Sequence, residues 1–269
     1  MSLIALNDMP RADLAAIKLV LTDIDDTLTL HGRLPAVAFT ALEQLQNAGL
    51  KIVAVTGRPA GWCDHIARMW PVDAVVGENG AFYFHYDASV RKMRRIYAQE
   101  DRVRLANVER LHGLATDILK AFPGTAWSAD QAYREIDVAI DFAEDVLPLE
   151  LAVAQKIADG FHLHGASAKV SSIHVNAWFG EHDKLTMSMK MMKELFDIDG
   201  NISNSQVAYL GDSPNDAPMF AHFHNGIGVA NLLEFAPLMS ALPRYVTVGE
   251  GGLGFAEFAR TLLAAKNIS

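Results

Sequence analysis

The stretch Leu19-Val20-Leu21-Thr22-Asp23-Ile24-Asp25-Asp26-Thr27 decides the fold. Three apolar, β-prone residues run without alternation into a polar end that carries three carboxylates in four positions. An unbroken apolar run that stops abruptly reads as a short strand buried on both faces. The pattern recurs twice. Ile52-Val53-Ala54-Val55 runs into Thr56-Gly57-Arg58-Pro59, and Val207-Ala208-Tyr209-Leu210 runs into Gly211-Asp212-Ser213-Pro214-Asn215-Asp216. Helical segments lie between them. Ala36–Ala48 brings Val37, Leu42 and Leu45 toward one face, with Gly49 behind as a cap. Lys184–Phe196 repeats Met187, Met191, Met192 and Leu195 at helical spacing, as core filler. Strands alternating with helices predict an α/β fold with a Rossmann-like parallel sheet. Ligands of such sheets bind beyond the carboxyl ends of the strands, where all three polar clusters fall.

From about residue 86 to 178 the texture changes. Val90–Tyr97 reads as a strand with a solvated basic face, and Glu100–Phe122 as a helix stopped by Pro123-Gly124. Ile136–Asp141 alternates strictly, which predicts a strand with one wet face. Leu149–Ala158 reads as a helix, and Phe161–His164 and Lys169–Ala177 as strands parted by a turn around Gly165. A half-exposed sheet of this kind predicts an inserted α/β cap at 85–179, between core segments 1–84 and 180–269. Its polar residues Arg134, Asp137, Lys169, Ser172, His174 and Asn176 are the candidates for substrate selection.

Composition narrows the function classes. Of 269 residues, 51% are hydrophobic and 20% charged, which excludes a disordered chain. Lys plus Arg number 23 against 32 acidic residues, a net charge of −9, which argues against sequence-independent nucleic-acid binding. Cys63 is the single cysteine, so neither an intrachain disulfide nor a cysteine zinc site is expected. No stretch reaches the roughly 20 apolar residues of a membrane helix. The run Leu14–Leu21 is short and broken by Lys18, unlike a signal peptide. A cytoplasmic protein is expected, with no membrane partner; no sequence feature bears on its oligomeric state. The Gly249-Glu250-Gly251-Gly252-Leu253-Gly254 run matches GxGxxG, but the strand and acidic residue of a dinucleotide site do not follow. It reads as a glycine-rich loop before a terminal helix. The pairs His162/His164 and His222/His224 have no acidic partner in register and read as surface or packing residues.

Asp23 and Asp25, at i and i+2 of an extended segment, should point to one side. Crowded carboxylates persist with a cation or a shared proton, and oxygen ligands without His or Cys suit Mg2+. Taken alone, the first cluster is explained equally well by an Asp-rich turn. The second cluster, Asp212 and Asp216 at a neighbouring strand end, changes that. A hard-cation site on Asp23, Asp25, Asp212 and Asp216 explains both. The Thr56 hydroxyl and the unobstructed Gly57 backbone suit an anion, and Lys184 adds positive charge where its helix begins.

As a set, Asp23-x-Asp25-x-Thr27, Thr56-Gly57-Arg58-Pro59, the isolated Lys184 and Gly211-Asp212-x-x-Asn215-Asp216 resemble the haloacid dehalogenase (HAD) superfamily. The 29 positions from Thr27 to Thr56 leave room for one helix, and the 128 from Thr56 to Lys184 for a cap. That arrangement, with Gly77-Glu78-Asn79-Gly80-Ala81 at the cap entry, is similar to the Cof-type (IIB) phosphatases, sugar-phosphate phosphatases among them. The resemblance implies phosphoryl transfer through an aspartyl-phosphate on a small phosphorylated metabolite. It implies Asp23 as nucleophile, and Asp25 as the acid for the leaving alcohol and then the base for water. It also implies Mg2+ on Asp23, the Asp25 carbonyl and Asp212 with Asp216 nearby, and the phosphoryl oxygens on Thr56, Gly57, Lys184 and Asn215. Asp26 and Leu185 depart from the pattern, since relatives often carry Gly at each. A phosphomutase using the same intermediate and a non-enzymatic phospho-ligand sensor are the alternatives.

Overall fold

In the computed structural model, which describes residues 3–267, the three apolar runs are neighbouring strands. The chain runs β1 (Ile4–Ala5), α1 (Arg11–Ala16), β2 (Leu19–Thr22), α2 (Ala36–Asn47), β3 (Lys51–Val55), α3 (Ala60–Met69), β4 (Ala74–Gly77), β5 (Phe82–Asp87) and β6 (Lys92–Tyr97). A second unit follows: α4 (Asp101–Ala121), β7 (Ala126–Trp127), β8 (Val138–Asp141), α5 (Leu151–His162), β9 (Ser167–Val170) and β10 (His174–Trp178). The chain then returns through α6 (Lys184–Phe196), β11 (Val207–Gly211), α7 (Ala217–His222), β12 (Asn225–Gly228), α8 (Leu232–Phe235), β13 (Tyr245–Val246) and α9 (Gly251–Ala265).

The larger sheet has the order β1-β13-β12-β11-β2-β3-β4-β5-β6. Its first seven strands are parallel, and the β5-β6 hairpin is added antiparallel. β2 and β11 are buried at every position, as an unbroken apolar run requires. Leu42, Leu45, Ile66, Phe255 and Phe258 cover one face. Met187, Met191, Met192 and Phe220 cover the other. Each such buried side chain contributes roughly 1.5–3 kcal/mol. From β2 the chain steps outward to β3 and β4, then returns on the other side of β2 to β11. That reversal is a topological switch point, and its crevice opens at the carboxyl ends of β2 and β11.

The smaller sheet, β7-β8-β10-β9, is antiparallel. α4 and α5 cover one face through Leu111, Ile118, Ile157 and Phe161 packed on Val138, Ile140 and Val175. The wet face expected for Ile136–Asp141 is not wet: Asp137 and Asp141 are 1% exposed. Alternation marks which side chains avoid the cap's own core, and here the polar side is buried. Other expectations differ as well. Phe161–His164 is not a strand, because the stripe Ala154, Ile157, Ala158, Phe161 carries α5 through His162. Lys169–Ala177 is two strands joined at 171–173. Val37 is 39% exposed, and Ala38, Ala41, Leu42 and Leu45 form the buried stripe of α2 instead.

Because β5 and β6 pair within the larger sheet, we propose residues 98–179 as the cap rather than 85–179. The basic residues of β6, Arg94 and Arg95 among them, are exposed on this edge strand. The glycine-rich run opens α9. No described helix is long and apolar enough to cross a membrane.

Candidate active site

Asp23 is the first residue beyond β2. Its amide donates to the Leu210 carbonyl at 2.9 Å, which carries the β2–β11 ladder one step further and sets Asp23 beside Gly211-Asp212. Asp23, Asp212 and Asp216 are buried, each with a carboxylate oxygen within 4.8 Å of the others. This is the one such metal-capable cluster among the described residues. Lys184 Nζ enters it, donating to Asp23 Oδ1 at 2.8 Å and to Asp216 Oδ1 at 2.7 Å. Three carboxylates therefore share one ammonium.

Local chemistry fixes each member. Asp183 caps α6 by accepting from the Thr186 amide, with the Thr186 hydroxyl returning the bond, so the helix begins at Lys184. Gly80, at φ +100°, lies against that same turn. A Cβ there would sit 1.9 Å from the Asp183 carbonyl oxygen. Asp216 accepts from the Asp212 and Ser213 amides at 3.0 and 3.1 Å and from the Tyr209 hydroxyl, closing its loop. Asp212 accepts from Thr27 Oγ1 at 3.2 Å and Asn231 Nδ2 at 3.3 Å. Asn231 also donates to the Asp26 carbonyl and accepts from the Gly251 amide, stitching three loops together.

The electrostatics follow from excess negative charge in a buried place. Burial pushes the Asp23 carboxyl up to about 8, with Lys184 opposing and Asp216 and Asp25 adding to it. Asp212 is raised too, by burial and then by Asp216 and Asp23. Lys184 is held above the usual ammonium range by Asp216 and Asp23 in spite of its burial.

Asp25 does not join the cluster. It lines a cavity of about 20 Å3 that Asp23 also lines, but its carboxylate is held by Arg58, whose Nε and Nη2 lie 3.0 and 2.8 Å from Oδ1. Arg58 continues into the cap, with Nη2 2.7 Å from Glu144 Oε1 and Nη1 3.3 Å from Asp130 Oδ2. Bonds from His174 and Arg58 hold Glu144 down to about 2 against its burial. Gly57 and Asn215 line the cavity. Thr56 is buried behind it, its hydroxyl accepting from the Arg58 amide at 3.0 Å.

Of the predicted cap residues, Ser172, His174 and Asn176 face this cavity. Arg134 and Asp137 form a buried ion pair at 2.8 Å, and Arg134 also donates to the Gly57 carbonyl at 2.8 Å. They dock the cap. Lys169 is exposed. Glu78 is the core's half of that docking. Its carboxylate accepts from the amides of Ala60, Glu135, Ile136 and Asp137 at 2.7–3.0 Å. Sequence reasoning missed Asp130, Glu144 and Asn231, and quoted Glu78 only within the Gly77–Ala81 motif at the cap entry, without a role. Arg58 was visible within Thr-Gly-Arg-Pro; Asn231 carried no signal, because it lies in a loop outside every motif.

The comparisons agree with this geometry. Residues 20–106 match the family of haloacid dehalogenase-like hydrolases. The chain is 28% identical to the phosphoglycolate phosphatase of Pyrobaculum aerophilum, over 93% of this chain and 97% of that one. It is likewise 28% identical to the phosphoglycolate phosphatase of Archaeoglobus fulgidus, over 84% and 91%. The fold is shared with a Thermoplasma acidophilum protein (TM-score 0.67, 16% identity, 91% of this chain and 98% of that one). It is also shared with a sucrose-phosphatase from Synechocystis solved with sucrose and phosphate (TM-score 0.63, 15% identity, 91% and 97%). With its acidic cluster at the switch point of this fold, the chain is similar to the haloacid dehalogenase-like hydrolases and, along most of its length, to relatives named as phosphatases.

Proposed function

We propose that the protein hydrolyses a small phosphorylated sugar with Mg2+, through an aspartyl-phosphate on Asp23. One observation carries the reading: Asp23, Asp212 and Asp216 are buried around a single lysine. With all three ionised, their charge would exceed that of Lys184 by two, and the Asp212 side chain meets only neutral donors, Thr27 and Asn231. An all-oxygen donor set with that surplus fits a hard divalent cation. Asp23, the Asp25 carbonyl and Asp212 would hold it, with Asp216 acting through water. Bound there, Mg2+ would offset the phosphoryl charge and polarise phosphorus toward attack.

The chain's own residues do the rest. An Asp23 oxygen attacks phosphorus and the bond to the leaving oxygen breaks. Asp25 gives that oxygen its proton, then takes one from the water that cleaves the acyl phosphate. Thr56, the Gly57 amide, Lys184 and Asn215 hold the transferring oxygens. A cavity of about 20 Å3 admits about one water, so substrate enters only when the 171–176 segment and the core part. That makes the cap a gate that also excludes water. Mutase or sensor function has no observation in its favour.

Phosphate release from a panel of sugar phosphates and a chromogenic ester, with Mg2+ and with EDTA, tests this. Mg2+-dependent release that Asp23→Asn abolishes is expected. No release from any ester, or full release by Asp23→Asn, overturns it.

A further inference from the structure

The chain crosses between the larger sheet and the cap at 98–99 and again at 180–182. With the first turns of α6 these crossings line a second cavity, of about 290 Å3, which shares no lining residue with the cavity at Asp23. His182 stands in its wall. It is only 9% exposed, yet neither ring nitrogen has a hydrogen-bond partner. The ring is held in place, stacked on Trp178 with centroids 5.7 Å apart, while the His182 carbonyl accepts from Trp178 Nε1 at 3.0 Å. Gly180, at φ +123°, packs against one edge, where a Cβ would lie 3.2 Å from Nδ1. Burial pushes the imidazole down to about 4, so it is neutral at physiological pH, with one donor and one acceptor unused. Buried polar groups are nearly always paired, so two unused atoms in a cavity wall point to a ligand that meets them.

Charge decides the kind of ligand. Glu181 and Lys190 line the same cavity, and among the described residues neither is in an ion pair; those of α6 use Lys184 and Lys193. The other polar groups of the wall are engaged. Gln99 donates to the Phe179 carbonyl at 2.7 Å and accepts from Asn107 at 3.1 Å, and the Thr186 hydroxyl serves the cap of α6. Met187 and Ala98 add apolar surface. We propose that this cavity binds a free α-amino acid with an apolar side chain. Its carboxylate meets Lys190, its ammonium Glu181, and the His182 ring makes a hydrogen bond to either group. One charge of each sign suits a zwitterion; a phosphate dianion would face Glu181 with a single ammonium to balance it. The volume falls just below the usual range for drug-sized ligands, which fits a molecule of the size of leucine or methionine. The proposal stands apart from the phosphatase reading. Residues 180–182 lead directly into Lys184, so a ligand joining Glu181 to α6 stiffens the crossing about which the cap must move.

Calorimetry on the full chain, with L-leucine, L-methionine and L-phenylalanine as probes, reads the binding. At least one is expected to bind saturably and to move the ring-nitrogen resonances of His182. Its deaminated and decarboxylated analogues (isocaproate and isoamylamine for leucine) should each bind at least about tenfold more weakly. Glu181→Ala and Lys190→Ala, at exposed positions, should weaken the amino acid by a similar factor. His182→Phe keeps a ring on Trp178 and removes both unpaired nitrogens, so binding should weaken while the melting temperature holds or rises. Amide exchange at 180–182 should slow when the amino acid is bound. No saturable binding by any of the three overturns the proposal. So does an analogue that binds as tightly as its parent, displacement by inorganic phosphate, binding unchanged in His182→Phe, or unchanged exchange at 180–182.

Discussion

Arg58 and Asp25 are joined side to side, Nε 3.0 Å from both Asp25 oxygens and Nη2 2.8 Å from Oδ1. The same guanidinium reaches Glu144 and Asp130 of the cap. The residue proposed to carry the proton is thereby tied, in the ligand-free protein, to the element that must move for substrate to enter.

Arg58→Ala leaves three carboxylates facing one another. Removing one partner of a buried ion pair costs ~3–5 kcal/mol, and the partial exposure of Asp25 and Glu144 brings the expected loss to about 2–3 kcal/mol. Denaturant titration reads it. Amide exchange at 171–176 should quicken as the cap loosens, and unchanged exchange there would contradict the latch.

The acidic cluster sets a pH dependence. In the unfolded chain Asp23 and Asp212 ionise near 4, whereas in the fold burial carries Asp23 to about 8 and raises Asp212. Between about pH 4 and 8 the folded protein holds protons the unfolded chain has released. Metal-free stability is therefore present at low pH and falls as pH rises across that window. Mg2+ bound at this cluster would replace those protons, so it should raise the melting temperature more at pH 8 than at pH 5. Equal shifts at both would argue against binding at this cluster.

Gly80→Ala should do more damage than its size implies. Its φ of +100° strains any side chain, and the new methyl would overlap the Asp183 carbonyl directly before Lys184. The start of α6 must shift, carrying Lys184 with it. A loss of roughly tenfold or more in kcat is expected, with destabilisation of over ~1 kcal/mol. Activity assays and thermal melts check both.

Glu78→Gln replaces an acceptor-only carboxylate with an amide beside four donating backbone N–H groups. Each buried amide left unpaired costs ~1–3 kcal/mol. Reduced stability should come with faster exchange at residues 135–137, where the cap rests on the core. Protection there equal to wild type would show that Glu78 does not anchor it.

Much of this was legible in the chain. Unbroken apolar runs declared buried parallel strands, helical spacing declared α2 and α6, and polar residues at strand ends singled out Asp23, Asp25, Thr56 and Asp212 as candidates, with Lys184 where α6 begins. Such features are written within a few neighbouring residues, because backbone periodicity and capping are local. The Phe161–His164 segment failed for the same reason: four alternating residues weigh less than the helical stripe that precedes them.

Tertiary structure decided what the cap's second face does and which charges meet. Alternation at Ile136–Asp141 identified the polar side chains of β8, but not that a neighbouring domain would bury them. Arg58 finds Glu144 across 86 positions, and Lys184 finds Asp23 across 161. Neither pairing has a local signature. A charge is satisfied by whatever the packed layers bring within about 3 Å, and that depends on where the sheet reverses and on which face the cap docks.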